Sequence, residues 1–249
     1  MNSPPRVTNR IKARIAGTLY VTVIITAGFA EAIARGRLIV RADPAATSAN
    51  ILSHQALYRL GGAADLVNIA CDVLLTLILY QLLKPVSKTI SQTSAAFELL
   101  ADSVLAVATL AHFAALLFLI TPDYRTAFTL AQLQAQAFAY IRLHNQGYNI
   151  AMVFYGCRHM LLGYLVYCSA DFSRTVGMGL CIAGVCYSTN ALARCISPAF
   201  ASHLYPYILW PGILAEAMLA LSLLFGRFGQ PLRTTARPTP LHSPLRAED

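Results

Sequence analysis

Apolar runs recur at residues 14–35, 60–83, 94–120, 147–168, 175–195 and 206–226, separated by shorter polar stretches. Runs of about 20 residues cover a hydrocarbon core roughly 30 Å thick at about 1.5 Å per residue. The pattern predicts an all-α protein, a polytopic transmembrane helix bundle of about six spans with short extracytoplasmic helices. The bundle is expected over 14–226, between a cytoplasmic N-terminal segment (1–13) and a disordered cytoplasmic tail (227–249). Two outer loops carry helical signals. Asp43 followed by Pro44 reads as an N-cap with proline at the first helical position, predicting a helix to about Leu57. Leu130, Leu133, Phe138 and Ile141 share one face while Gln132, Gln134 and Gln136 point elsewhere, predicting a helix on the membrane surface.

Polar residues interrupt these runs. Asp65, Asn68 and Asp72 are spaced i, i+3, i+7 and form one stripe on the second span. An aspartate at a helix centre costs about 2.5–3.5 kcal/mol to insert, so the stripe is expected to face the bundle. Glu31, His112, His144, Arg158 with His159, Asn190 with Arg194, and Glu216 add to it. Their depths place Glu31, Asp65, His112, His144 and Arg194 in the outer half and Asp72, Arg158 and Glu216 nearer the middle. Together they outline an outward-opening polar cavity lined by Glu31, Asp65, Asp72, His112, His144, Arg158 and Glu216. Each residue also has a purely structural reading: ion pairing for the aspartates, neutral acids or partners of Arg158 for Glu31 and Glu216, interior hydrogen bonding for the histidines, bundle cohesion for Arg158. Glu98 and Asp102 are expected near the cytoplasmic interface, solvated. Gly156 and Gly163 read as close-packing positions.

Composition sharpens the class. The 249 residues are 57% hydrophobic and 12% charged, about half the charged fraction of soluble domains. The net charge of +8 sits mostly at the ends of apolar runs rather than in an aromatic-laced stripe, so membrane lipids are the expected partners and nucleic acid is not. Six spans put both termini on one side. With Arg158 inside a span, that side carries 11 basic residues and the other seven, Arg35 among them. The bias expects cytoplasmic termini. A cleaved signal peptide is the alternative for the first run, given Ala30, Ala32 and Ala34, although Ile15 to Ala34 exceeds the usual signal core. The six cysteines form no CxxC pair or metal-ligand spacing and read as small buried hydrophobes; no metal or cofactor is expected.

Several segments resemble the multipass bacterial membrane proteins grouped as domain of unknown function 4386. They are Ala13 to Tyr20, Ala30-Glu31 through Arg37-Leu38-Ile39-Val40, Arg59-Leu60 with Asp65 and Asp72, and Leu82 to Val86. Further on, His144 with Gly147-Tyr148, Phe154-Tyr155-Gly156 and Leu162 to Tyr167 resemble its fourth helix, and Glu216 falls where its last helix carries an acid. The resemblance spans about residues 10–226 and implies a bacterial cytoplasmic (inner) membrane protein, with no activity to carry over. Cys157-Arg158 departs from the family pattern.

Three function classes follow. One is a small-molecule or proton-coupled transporter using the intramembrane acids. Another is a non-catalytic membrane partner or sensor. The third is an intramembrane, lipid-processing enzyme using His112 or His144 beside carboxylates. HExxH and GxSxG signatures are absent, as is an internal repeat. The ligand and the oligomeric state are open.

Overall fold

The computed structural model describes residues 6–226. The proposed tail, with Arg227, Arg233, Arg237 and Arg246, lies outside the described residues. Among the described residues the regular structure is all helical. Six helices among these residues are long and apolar enough to cross a membrane. The first span is α1 (Arg6–Gly28), a π-helical stretch (Phe29–Arg35) and a last turn, α2 (Gly36–Leu38). A short helix, α3 (Pro44–Ser53), leads to the second and third spans, α4 (Gln55–Leu83) and α5 (Lys88–Ile120). After the single turn α6 (Tyr124–Ala127) come α7 (Leu130–Cys168) and α8 (Arg174–Ile196), the fourth and fifth spans. The chain closes with α9 (Pro198–Leu204), a 3₁₀ turn (Tyr207–Leu209) and α10 (Trp210–Phe225), the sixth span.

Each span packs on the next in sequence, and the sixth returns to the first, so the spans form a ring: α1, α4, α5, α7, α8, α10. One end of the ring carries the turns at 84–87 and 169–173; the other carries α3, α6 and α9. An apolar cluster closes each end. Leu79, Leu83, Leu165, Val176, Leu219 and Leu223 contribute near the 84–87 end. Leu38, Ile51, Tyr58, Leu116, Leu119 and Ile141 do so near the other.

Local chemistry sets the boundaries. The Asp43 carboxylate accepts from the Ala46 N–H at 2.9 Å with Pro44 in the first turn, the expected cap. The helix ends at Ser53 rather than near Leu57, because the chain breaks at His54 and the second span begins at Gln55. Thr129 and Gln132 form a capping box at the start of α7. The amphipathic segment after Leu130 is not a separate surface helix. It continues into the fourth span as one helix of 39 residues, about 58 Å long. Its apolar face, Leu133, Ala137 and Ile141, is buried, and α7 there packs on α3 and α5, so protein rather than lipid covers it.

Gly156 and Gly163 are close-packing positions. A Cβ on Gly163 would come within 2.7 Å of the Cys181 nitrogen and the Gly177 oxygen of α8. The cysteines correct an expectation: all six are free thiols and none is fully buried, Cys168 and Cys195 being exposed. Cys181 lies in the α7–α8 contact, its Sγ 3.6 Å from the Met160 carbonyl oxygen, and Cys195 Sγ meets Gln146 Nε2 at 3.6 Å.

Candidate functional site

The stripe on α4 faces inward. Asp65, Asn68 and Asp72 are each 5% exposed or less. The three side chains do not share one cavity; they belong to two polar layers.

The first layer centres on Arg35, which the π-helical stretch turns inward. Its Nη1 and Nη2 donate to Asp65 Oδ2 and Oδ1 at 2.6 and 3.1 Å, and its Nε donates to Glu31 Oε2 at 2.9 Å. Glu31 is about half exposed, its side chain at 53%. Asn68 ties α4 to α1 through Val23 O at 2.8 Å and Thr26 Oγ1 at 3.1 Å. His112 and His144 are buried beside this layer, ring centroids 5.5 Å apart. Each meets a backbone carbonyl rather than a carboxylate: His112 Nε2 lies 3.0 Å from Tyr58 O, and His144 Nδ1 lies 3.0 Å from Ala108 O.

The second layer draws on all six spans. Counted from the 84–87 end, Asp72, Glu98, Arg158 and Glu216 lie about 14–17 Å in, the middle of a core roughly 30 Å thick. Arg158 Nε stands 2.8 Å from Glu98 Oε2, both buried. Among the described residues neither Glu98 oxygen makes an aligned hydrogen bond, so the contact is charge pairing rather than a directed bond. The Asp72 and Glu98 carboxyls face each other. The Tyr155 hydroxyl reaches Asp102 Oδ1 at 3.0 Å and Asp72 Oδ2 at 3.4 Å. With one proton it donates to one of them at a time. Asp72 Oδ1 and Asp102 Oδ2 have no hydrogen-bond partner among the described residues. Tyr20 of α1 faces Arg158. His159 Nε2 lies 3.2 Å from Arg158 Nη1 and 3.0 Å from Glu216 Oε1, which also accepts from Tyr187 OH at 2.9 Å.

Glu98 and Asp102 are therefore interior residues, 1% and 2% exposed, not solvated ones. The third span starts at Lys88, so Glu98 sits about 15 Å inside it. A signal was present: Glu98, Asp102, Thr109 and His112 recur at i, i+4, i+11, i+14, one face of a helix. Arg35 was concealed by its place at the end of an apolar run, where a basic residue reads as a loop charge. Arg59 is exposed, and Arg194 stacks on Tyr205, so neither arginine pairs with the aspartates.

A small cavity, with room for about one water, adjoins Arg158 and is lined by Thr76, Tyr80, Ser91 and Ser94, on the 84–87 side. Thr76 Oγ1 is buried there without a hydrogen-bond partner among the described residues.

Among the described residues, six apolar helices that bury Asp65, Asp72, Glu98, Asp102 and Arg158 between them define a multi-pass integral membrane protein. Within that class, the chain belongs to the family described as a domain of unknown function (DUF4386), whose model matches residues 15–226. No curated protein and no solved structure matches it.

Proposed function

We propose that the protein is a proton-coupled small-molecule transporter of the cytoplasmic membrane, held here in an occluded state, with the layer around Arg158 as its proton site. One observation carries the reading: Asp72, Glu98 and Asp102 all act on a single guanidinium, and at least one carboxyl oxygen of each has no hydrogen-bond partner among the described residues. Unpaired carboxylates in a low-dielectric interior are costly, and a proton shared between facing acids relieves both the charge and the missing hydrogen bonds. A group of acids that holds protons at mid-membrane, sealed by apolar residues at both ends, is what alternating exposure needs. The outer layer, in which every nitrogen of the Arg35 guanidinium meets an acid, serves cohesion in this scheme. The Arg158 cavity leads toward the 84–87 end, which the basic-residue bias assigns to the cytoplasm.

The test is proton movement in vesicles of phosphatidylcholine and phosphatidylglycerol enclosing a pH-sensitive dye. Amino acids, sugars, organic acids and simple cations are added outside in turn. At least one class is expected to drive a dye response with the wild type and none with Asp102→Asn. Silence toward every class rejects transport.

A further inference from the structure

His159 presents a conflict that a single protonation state does not resolve. Its Nδ1 lies 2.8 Å from the Tyr155 carbonyl oxygen, an acceptor only, so Nδ1 carries a hydrogen. In the neutral ring Nε2 then holds a lone pair. Arg158 Nη1, a donor only, lies 3.2 Å from that nitrogen, and the neutral ring suits it. Glu216 Oε1 lies 3.0 Å from the same nitrogen, and as a carboxylate it requires a hydrogen there. One nitrogen cannot serve both partners at once.

We infer that His159 carries the proton that links Glu216 to the acids around Arg158, switching its Nε2 between the two partners. The step balances within the ring and the acid. The Oε1–H bond of protonated Glu216 breaks, its electron pair stays on the carboxylate, and the Nε2 lone pair forms the new N–H bond. The products are an imidazolium hydrogen-bonded to a carboxylate. That imidazolium no longer accepts from Arg158 and repels it, so the guanidinium turns to Glu98, whose Oε2 is already 2.8 Å from Nε but out of line. Glu98 then favours its ionised form, and the proton held between Asp72 and Glu98 passes to a water entering the cavity beside Arg158, the carboxyl O–H bond breaking as the water lone pair forms the new O–H bond. Protonation on the α10 side thus drives deprotonation on the α4 and α5 side, with Arg158 as the moving charge.

The groups facing His159 are consistent with this role. From its own helix come Tyr155 and Arg158, and from α10 comes Glu216. The α8 contribution is the Tyr187 ring, edge-on at 5.1 Å. Asp72, Glu98 and Tyr20 act on it through Arg158. The inference rests on the transport reading for its purpose, and its test does not.

Arg158-His159 is the only Arg-His pair in the sequence. Labelling arginine carbonyls with ¹³C and histidines with both ¹³C and ¹⁵N therefore singles out His159 in the full-length protein, in lipid, without substitution, because its backbone nitrogen is selected by the Arg158 carbonyl and its ring is reached from there through its own labelled carbons. Its two ring nitrogens are followed from alkaline to acid pH. Nδ1 is expected to be protonated throughout and Nε2 to gain its hydrogen on acidification. In Glu216→Gln, which removes the anion facing Nε2, His159 is expected to bind that proton at least about tenfold more weakly. A ring that stays in one form across the range overturns the switch, as does a transition unmoved by Glu216→Gln. If the switch is seen while vesicles move no protons, transport falls and the His159 relay stands.

Discussion

Arg35 and Arg158 bring the same group into the interior and are satisfied differently. Each of the three nitrogens of the Arg35 guanidinium donates to a carboxylate: Asp65 takes both Nη atoms and Glu31 takes Nε. Removing one side of a buried pair leaves a charge stranded, which costs about 3–5 kcal/mol, whereas an exposed partner contributes about 0–1 kcal/mol. Asp65→Asn is thus expected to lower denaturant stability by about 3–5 kcal/mol. Glu31→Gln, with its half-exposed side chain, is expected to change it by less than about 1 kcal/mol. Equal losses would show that the pairing is not read correctly. Arg158 instead meets more acids than it can neutralise. Asp72→Asn retains an acceptor for the Tyr155 hydroxyl and is expected to melt near wild type in detergent while losing any proton-coupled response. A folded Asp72→Asn with its response intact rejects Asp72 as part of the site.

At the scale of elements, the α7–α8 contact is the most constrained. The two helices approach so closely at Gly156 and Gly163 that a side chain there meets backbone atoms, which do not yield. Gly163→Ala is expected to destabilise the protein by about 1–3 kcal/mol, as overpacking does, with the melting temperature in detergent as the measurement. The sequence was informative about elements wherever the hydrophobic period ran uninterrupted: six spans, the Asp43 cap, the inward face of the α4 stripe and the two glycines were all legible. What it concealed were helix extents. Polar first turns make α5 look as though it starts near Ser94, which moves Glu98 and Asp102 from mid-membrane to the interface. The glutamines of α7 make a continuous helix look like two. Arg35 was illegible because a π-helical turn, which changes the face a residue presents, leaves no mark in a count of every third and fourth position.

For the whole molecule, the side chains of the second layer come from every span, and no single span indicates their convergence. Hydropathy sets depth along each helix, but which faces meet depends on the ring order, and that order is a property of tertiary packing. Arg35 also leaves the topology count, since it is a buried partner of Asp65 rather than a loop charge. The remaining bias expects a reporter fused after Arg246 to be active only in the cytoplasm; periplasmic activity would reverse the orientation or change the number of spans. The closing of the ring by its last helix has a consequence in time. Asp65 finds Arg35 already made, 30 residues before it. Asp72 is synthesised 86 residues ahead of Arg158 and 144 ahead of Glu216. At about 5–20 residues per second, Arg158 follows Asp72 by about 4–17 s. During that interval the second span carries an acid with no counter-charge, and His159 later waits for Glu216 in the same way. The early spans must be sheltered from lipid until the sixth arrives, and a chain ended after Ser197 is expected to be cleared by proteolysis rather than accumulate, as pulse-chase labelling would show.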